Sequence, residues 1–174
     1  LGIGATTTIS SVVDTILLQP LPFADADQLV HIAEHVPSSV PGRTRFQRGV
    51  TYHEFLEWRA RSTTLSDAFA VSTGEHVVRT DEGTARLWGA TVSVNTFTVL
   101  GADAMLGRTL VAGDEANPNV VVLSFDYWVS RFAGDGGVIG KKILVNDSPM
   151  TIVGVSASGF AGQQLWRAAQ LQIR

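Results

Sequence analysis

Cysteine is absent from the 174-residue sequence. This absence excludes structural disulfides, thiolate nucleophiles and zinc sites with cysteine ligands. Positive charge is also scarce, because 13 Lys and Arg residues are outweighed by 16 Asp and Glu residues, and the net charge is −3. Binding to nucleic acid depends on clustered positive charge that neutralises phosphates. We therefore expect no nucleic-acid partner.

Long hydrophobic runs are missing as well. A transmembrane helix needs about 20 apolar residues, and no run of that kind occurs in the sequence, so we expect no complete membrane span. The phosphate-binding pattern G-x-x-x-x-G-K-[ST] does not occur either. The sequence is 45% hydrophobic and 17% charged. This composition is typical of a globular chain with a core. The length suits one ordinary domain or two small ones.

The N-terminal residues have the pattern of a helix that stops at prolines. Apolar residues recur with helical spacing from Ala5 to Leu17, and Pro20 and Pro22 end the pattern. One interpretation is an amphipathic helix packed on its own domain. The other, which we favour, is the outer end of a transmembrane helix that begins upstream of Leu1. No charged segment precedes the apolar residues, so a signal peptide is not expected.

The next part of the chain alternates strand and helix signals. Thr51 and Glu54 form a capping box that begins a helix. The Asp-Glu-Gly sequence at 81–83, between two alternating runs, predicts a hairpin. The expected elements are a strand at 28–36, a helix at 51–61, strands at 68–72, 76–80 and 85–93, and a short helix at 95–100.

Residues 101–119 are interpreted as mostly loop and as a candidate boundary between two lobes. Beyond it, a buried strand at 120–123 leads to a helix that Ser124 caps. Strands at 142–145 and 150–155 flank an Asn-Asp-Ser-Pro turn. The side chains expected on the buried side of the helix are Phe125, Trp128, Val129 and Phe132. The predicted fold class is α+β, with a helix-backed sheet in the first lobe and a smaller β-rich second lobe.

One short motif invites a metal-site interpretation. His31, Glu34 and His35 fit H-x-x-E-H, a pattern of zinc peptidases that requires both imidazoles on one helix face. Pro37 stops any helix immediately afterwards, and the flanking residues favour a strand. In a strand the two histidines share one face while Glu34 points to the other. We therefore favour an exposed strand over a zinc site. No other residue has an evident catalytic task, and the chain is predicted not to be an enzyme and to need no cofactor.

Three arginines lie close together in the loop after this strand. Arg43, Arg45 and Arg48 could form a contact surface, because guanidinium groups bind carboxylates and phosphates in a forked geometry. Lipid headgroups, an acidic partner or an anionic ligand would all suit this chemistry. A solvated loop is the simpler interpretation and remains preferred.

Two blocks of sequence resemble a known family. The first block comprises Leu1–Ala5, Ser11–Asp14 and Leu17–Pro22. The second lies within 120–160 and consists of Leu123-Ser124, Trp128, Arg131-Phe132, Gly134-Asp135, Ile139-Gly140-Lys141, Val153-Gly154-Val155 and Gly159-Phe160. In order and spacing they resemble the periplasmic core domain of MacB-like and FtsX-like ABC transporter permeases. The resemblance is greatest to the duplicated-permease branch described from acidobacteria.

This resemblance implies a domain organisation. It makes residues 1–22 the outer end and exit of the first transmembrane helix, 23–110 a porter-like lobe, 111–162 a second lobe inserted into the first, and 163–174 a truncated tail. It also implies a non-catalytic periplasmic domain of a permease in the bacterial inner membrane. ATP would be hydrolysed by a separate cytoplasmic subunit or domain, and the energy would drive export or force transmission. A periplasmic adaptor and a homodimeric permease are further implied partners.

Two alternatives from other functional classes stay open at this point. One is a soluble ligand-binding or sensor domain without a membrane partner. The other is a zinc hydrolase that uses His31, Glu34 and His35.

Overall fold

The computed structural model describes residues 28–30, 32, 34–36, 46–48 and 50–160, with the backbone alone at 34–36 and 46–48. The strands are β1 (Glu34–Val36), β2 (Phe46–Arg48), β3 (Val71–Thr80), β4 (Gly83–Val92), β5 (Ala104–Gly107), β6 (Val120–Leu123), β7 (Lys142–Val145) and β8 (Ser148–Ser156). The α-helices are α1 (Tyr52–Arg61), α2 (Thr96–Val99) and α3 (Phe125–Phe132). Short 3-10 helices occupy Ala112–Glu115 and Gly136–Val138. The mixture of helix and sheet confirms the predicted α+β class.

Six strands form the main sheet of the described region. The order is β4-β3-β7-β8-β5, and β6 pairs in parallel with β8. A separate antiparallel pair joins β1 to β2. Strands from both sides of residues 101–119 therefore share one sheet, and the division of the chain into two lobes stays a prediction. No helix within the described part of the chain is long and apolar enough to cross a membrane.

Local signals in the sequence form the expected caps. The Thr51 hydroxyl accepts a hydrogen bond from the Glu54 amide, and the Glu54 carboxylate accepts one from the Thr51 amide at 2.8 Å. Both bonds satisfy amides that a helix N-terminus leaves unpaired. At α3, the Ser124 side chain likewise accepts a hydrogen bond from Tyr127. Both predicted helix starts are confirmed.

The turn between β7 and β8 is tighter than predicted. Val145 and Ser148 are paired, so only Asn146 and Asp147 lie between the strands. Both have positive φ, at 50° and 65°, which is the backbone of a type I′ hairpin turn and suits Asn and Asp. Ser148 and Pro149 belong to β8.

Two hydrophobic clusters form the core. The larger one surrounds Trp128 and Ile152, and the smaller one consists of Phe97, Leu100 and Phe160. The rings of Phe97 and Phe160 lie 5.1 Å apart. Val121 packs on the first cluster and Val122 on the second. Because consecutive strand residues point to opposite sides, the clusters cover opposite faces of β6.

Residues 101–119 are mostly loop, although β5 and a 3-10 helix lie within them. Three other expectations about secondary structure and burial are wrong. The predicted break between the strands at 68–72 and 76–80 does not exist, because β3 is continuous from Val71 to Thr80. Of the strand predicted at 28–36, the described residues form a strand only at Glu34–Val36. Val129 is 44% exposed, because the other side of α3 faces the core.

Candidate functional site

The long ribbon of β3 and β4 changes the face that it buries. At its base, Val71, Ala90 and Val92 pack against the Phe97–Leu100–Phe160 cluster. At its tip, Val78 belongs to the Trp128 cluster, and Leu87 packs against that cluster. Val71 and Val78 are separated by an odd number of positions, so their side chains lie on opposite faces of the ribbon. The ribbon thus connects the two clusters while its buried face is reversed.

The reversal coincides with a pair of glycines. Gly74 and Gly89 lie directly opposite each other in the middle of ten residue pairs that run without a register shift. The next pair toward the tip is Glu75 and Trp88, and both side chains are exposed. The ribbon therefore loses its packing at the point where the buried face is reversed.

Neither glycine is required by its backbone angles. Positive φ occurs at other glycines but not at Gly74 or Gly89. A Cβ atom at Gly74 would meet nothing within 4 Å, whereas one at Gly89 would lie 3.0 Å from the His76 ring. A glycine within a strand destabilises the fold by about 0.5–1 kcal/mol relative to alanine. Steric crowding accounts for Gly89, but neither sterics nor φ accounts for Gly74.

An ion-pair network anchors the base of the ribbon to α1. Asp67 accepts hydrogen bonds from Arg59 Nε at 2.6 Å and Nη2 at 3.1 Å. Asn95 Nδ2 donates to Asp67 Oδ2 at 3.1 Å and to the Ala68 carbonyl at 2.8 Å. The Arg59 side chain, as the largest influence, lowers the pKa of Asp67, and the same bond raises the pKa of Arg59. The Asp67 carboxylate thus connects α1 to the segment before β3 and to Asn95 after β4.

Buried hydroxyl groups extend this network inward. The Ser93 hydroxyl donates to Asn95 Oδ1 at 2.8 Å and accepts from the Ala70 amide at 3.0 Å. Thr96 is fully buried, and its hydroxyl donates to the Ser93 carbonyl at 2.7 Å. The two ends of the ribbon base are therefore held together by side chains as well as by strand pairing.

Asn146 anchors the tip of the ribbon to the β7–β8 turn. Its backbone amide donates to the Val77 carbonyl at 2.8 Å, and its Oδ1 accepts from the Val77 amide at 2.9 Å. Its Nδ2 lies 3.0 Å from His76 Nδ1, which accepts this bond in the tautomer that carries its proton on Nε2. Beside it, Arg79 pairs with Asp147 at 2.7 Å on the exposed surface. Asn146 therefore satisfies both backbone groups of Val77 with its own amide and side-chain oxygen, next to the pairing of β3 with β7 at Val78 and Arg79.

The ribbon turn also meets α3. Arg131 Nε lies 3.7 Å from Glu82 Oε2. Among the side chains that the structure describes, Tyr127 Oη and Arg131 Nε are the buried polar atoms without a hydrogen-bond partner. Burial raises the pKa of Tyr127. This contact holds the turn through one long ion pair, so it is weaker than the contact at Asn146.

A second ion pair, between Arg108 and the buried Asp114, stabilises residues 108–114. The Arg108 amide attaches this segment to β8 by donating to the Val153 carbonyl at 3.0 Å. Arg108 donates to Asp114 through Nη1 at 2.7 Å and Nη2 at 2.8 Å, and the Val111 amide donates to Asp114 Oδ2 at 2.9 Å. The Arg108 hydrogen bond, as the largest influence, lowers the pKa of Asp114. A Cβ atom at Gly154 would lie 1.9 Å from the Arg108 carbonyl oxygen. Glycine at this position is required for the segment to lie against the strand.

Exposed aromatic and aliphatic side chains of α1 and β4 line part of a broad open cleft that also borders the rest of the sheet. Tyr52, Leu56 and Trp58 on the helix and Trp88 on β4 are all exposed large hydrophobic residues that contribute to its walls. Large apolar residues in one concave surface are typical of contact sites. The cleft is a candidate surface for contact with another polypeptide.

The side chains of the predicted site residues are not described. His31, Arg43 and Arg45 lie outside the described region, and Glu34, His35 and Arg48 are described by their backbone alone. The backbone places Glu34 of β1 directly opposite Arg48 of β2. The zinc motif and the arginine contact surface both stay predictions. Within the part of the chain that the structure describes, no three His, Cys, Asp or Glu residues are grouped to hold a metal ion.

Comparison with known proteins agrees with this architecture. The model of a family described as the MacB-like periplasmic core domain matches residues 1–171. The extracellular domain of the noncanonic ABC-type transporter YknZ from Gram-positive bacteria has a TM-score of 0.55 and 16% identity, over 62% of this chain and 58% of that one. The periplasmic region of MacB from Actinobacillus actinomycetemcomitans has a TM-score of 0.56 and 20% identity, over 67% of this chain and 55% of that one.

These similarities differ in what they show. At identities of 16% and 20%, the two solved structures show a shared fold. The chain spans a little more than half the length of each of them. No curated protein sequence matches it significantly.

Proposed function

The chain belongs to the MacB-like periplasmic core domain family, and from this premise we propose that it is the extracytoplasmic part of an ABC transporter permease that exports a substrate or transmits force. The match of the family model over residues 1–171 is the observation that carries the proposal. The domain itself performs no chemistry. ATP is bound and hydrolysed by a separate cytoplasmic domain or subunit.

The anchored ribbon supports a mechanical role. Hydrogen-bond networks hold its base at Asp67 and Ser93 and its tip at Asn146. A movement of the elements attached at either end would therefore act on β3 and β4. Directional hydrogen bonds at both attachments suit the transmission of movement, because they fix orientation as well as distance.

The expected location is the periplasmic side of the bacterial inner membrane. The proposed partners are the membrane helices of the parent permease, its ABC ATPase, a periplasmic adaptor and a second copy of the permease. Trp58 and Trp88 in the open cleft offer apolar contact area for a partner. Arg43, Arg45 and Arg48 offer positive charge for lipid headgroups or an acidic partner.

Purification of the full-length gene product tests the proposed transporter. The protein is extracted from membranes in detergent, and its subunits and ATP hydrolysis are measured. We expect an ABC ATPase as a bound subunit or fused domain, with hydrolysis that stops when the ATPase lysine of its phosphate-binding loop is substituted. A product recovered from the soluble fraction without an ATPase would instead support a sensor domain. Bound zinc together with hydrolase activity would support the metal-site alternative.

A further inference from the structure

The middle of the β3–β4 ribbon is held less firmly than its ends. The hydrogen bonds between Ala70 and Ser93 mark the base, and those between Val77 and Asn146 mark the tip. Between these anchors, the described residues place no third strand beside Thr73 or Glu75 of β3. A two-stranded ribbon without a third strand twists more readily than a wider sheet.

The Gly74–Gly89 pair lies in this middle section. It has no side chains that could pack across the strands and resist twisting. Gly74 has open space where a side chain could be and no backbone requirement for glycine. The buried face of the ribbon is reversed at the same place. Local flexibility is a reason for glycine that fits all three observations.

We infer that the Gly74–Gly89 pair is a flexure point, at which the ribbon twists so that its base and tip change their relative orientation. The base moves with α2 and the Phe97–Leu100–Phe160 cluster, and the tip moves with α3 and the Trp128 cluster. Val122 touches the base cluster through apolar contact, which is non-directional. A hydrogen bond from Ser156 Oγ to the Phe160 carbonyl at 2.9 Å also ties this cluster to β8, so the twist is a small change of orientation about that attachment. The motion is a property of the domain itself, whatever the parent protein transports.

Spin-label distances in the 174-residue chain test this flexure. The sequence has no cysteine, so cysteines introduced at exposed Thr98 on α2 and exposed Ser130 on α3 carry the only labels. In otherwise unsubstituted protein we expect a broad distribution of distances between them. Gly74→Val should narrow that distribution, because a β-branched side chain stiffens the strand. A Cβ atom at this position would meet nothing within 4 Å.

Two controls separate stiffening from other effects. Ser72→Val lies on the same face of β3 and outside the glycine pair, so it should leave the distribution broad. A label pair at Thr84 and Ser130, both attached to the tip, should give a narrow distribution in every variant. Gly74→Val should also raise the unfolding midpoint by about 1–4 °C, which shows that the variant is folded.

A distance distribution between the labels at positions 98 and 130 that is narrower in Gly74→Val, but not in Ser72→Val, supports a flexure point at the glycine pair. An equally broad distribution in the folded Gly74→Val variant, or a narrow one before any substitution, overturns it. If Gly74→Val does not fold, Gly74→Ala is measured under the same criteria.

Discussion

Asn146 of the β7–β8 turn hydrogen-bonds both backbone groups of Val77 in β3, with its own amide at 2.8 Å and its side-chain oxygen at 2.9 Å. One residue thereby supplies the pairing that an additional strand residue would supply. It attaches the long ribbon to the rest of the sheet at its tip. The stability of this attachment can be tested separately from that of the turn itself.

Asn146→Gly should destabilise the domain by about 1–2 kcal/mol, because the Val77 amide loses its side-chain acceptor. Glycine keeps the positive φ of 50° that the turn requires, so the loss reports the side chain. The matched control is Asp147→Gly, which removes an exposed ion pair with Arg79 and should change stability by no more than about 0.5 kcal/mol. Urea unfolding measures the free energy of unfolding of both variants. Equal effects would show that the turn backbone, and not the Asn146 side chain, provides the attachment.

Gly154→Ala should destabilise the domain by about 3 kcal/mol or more, because overpacking against backbone cannot relax by a rotamer change. The added Cβ would lie 1.9 Å from the Arg108 carbonyl oxygen. Gly113→Ala is the control, since a Cβ there meets nothing within 4 Å. Thermal unfolding of the two variants gives the comparison. A Gly154→Ala variant as stable as the control would mean that residues 108–114 do not lie against β8.

Asp114→Asn should make stability less dependent on acid pH. The Asp114 pKa in the folded protein lies below its unfolded value of about 3.9. The carboxylate therefore stabilises the fold above that unfolded value, and this contribution is lost as pH falls through the folded pKa. At pH 7 the substitution should cost about 1.5–3 kcal/mol, and the difference from the unsubstituted protein should shrink below about pH 4.

Urea unfolding across this pH range measures the effect at Asp114. The control Asp103→Asn, at an exposed carboxylate, should change stability at pH 7 by no more than about 0.5 kcal/mol. A constant difference between Asp114→Asn and the unsubstituted protein from pH 7 to about pH 3 would contradict the ion pair with Arg108.

Trp128→Ala should destabilise the domain by about 3–5 kcal/mol, because it leaves a cavity in the larger cluster. It also leaves the Asp135 carbonyl without the indole donor at 2.9 Å. Val129→Ala, the next residue along α3, should change stability by about 0.5 kcal/mol or less, because Val129 is exposed. A large loss of stability in Val129→Ala would contradict this exposure and would indicate that Val129 is buried, as its sequence pattern predicts.

Amide hydrogen exchange along β4 should alternate from residue to residue. Val77 directs its amide away from β4 toward Asn146, and its partner Arg86 directs its own amide away from β3. Arg86, Trp88 and Ala90 should therefore exchange faster than Leu87 and Gly89. Residue-resolved exchange of the 174-residue chain measures this pattern. Uniform protection along β4 would show that another strand covers its outer edge.

Local sequence signals predicted the elements that depend on neighbouring residues. The Thr51–Glu54 box and the Ser124 cap formed as expected, because each bond spans three residues. The reversal of the buried face could not be predicted in the same way, since it depends on which distant cluster meets each half of the ribbon. One signal was available, because Val71 and Val78 are out of phase for a strand buried on one face. The sequence pattern on either side of Gly74 predicts two short strands, whereas the structure has one continuous strand.

Contacts between distant residues account for the remaining features that the sequence did not predict. Asn146 was recognised as a turn residue, yet its bonds to Val77 span 69 residues. The Arg108–Asp114 pair lies within a segment that was predicted to be a loop, because neither residue stands in a helical or alternating pattern. The candidate zinc and arginine sites depend on residues outside the described region, so they remain predictions.

Thiol labelling of spheroplasts, whose inner membrane is intact, tests the extracytoplasmic location most directly. Thr84, exposed on β4, is replaced by cysteine in the full-length gene product, and a membrane-impermeant maleimide is added to spheroplasts. The unsubstituted product is the control for thiols elsewhere, because this chain contains none. The proposed permease domain predicts labelling of Thr84→Cys before lysis. Labelling only after lysis would place the domain in the cytoplasm and contradict its assignment to the periplasmic side of a transporter.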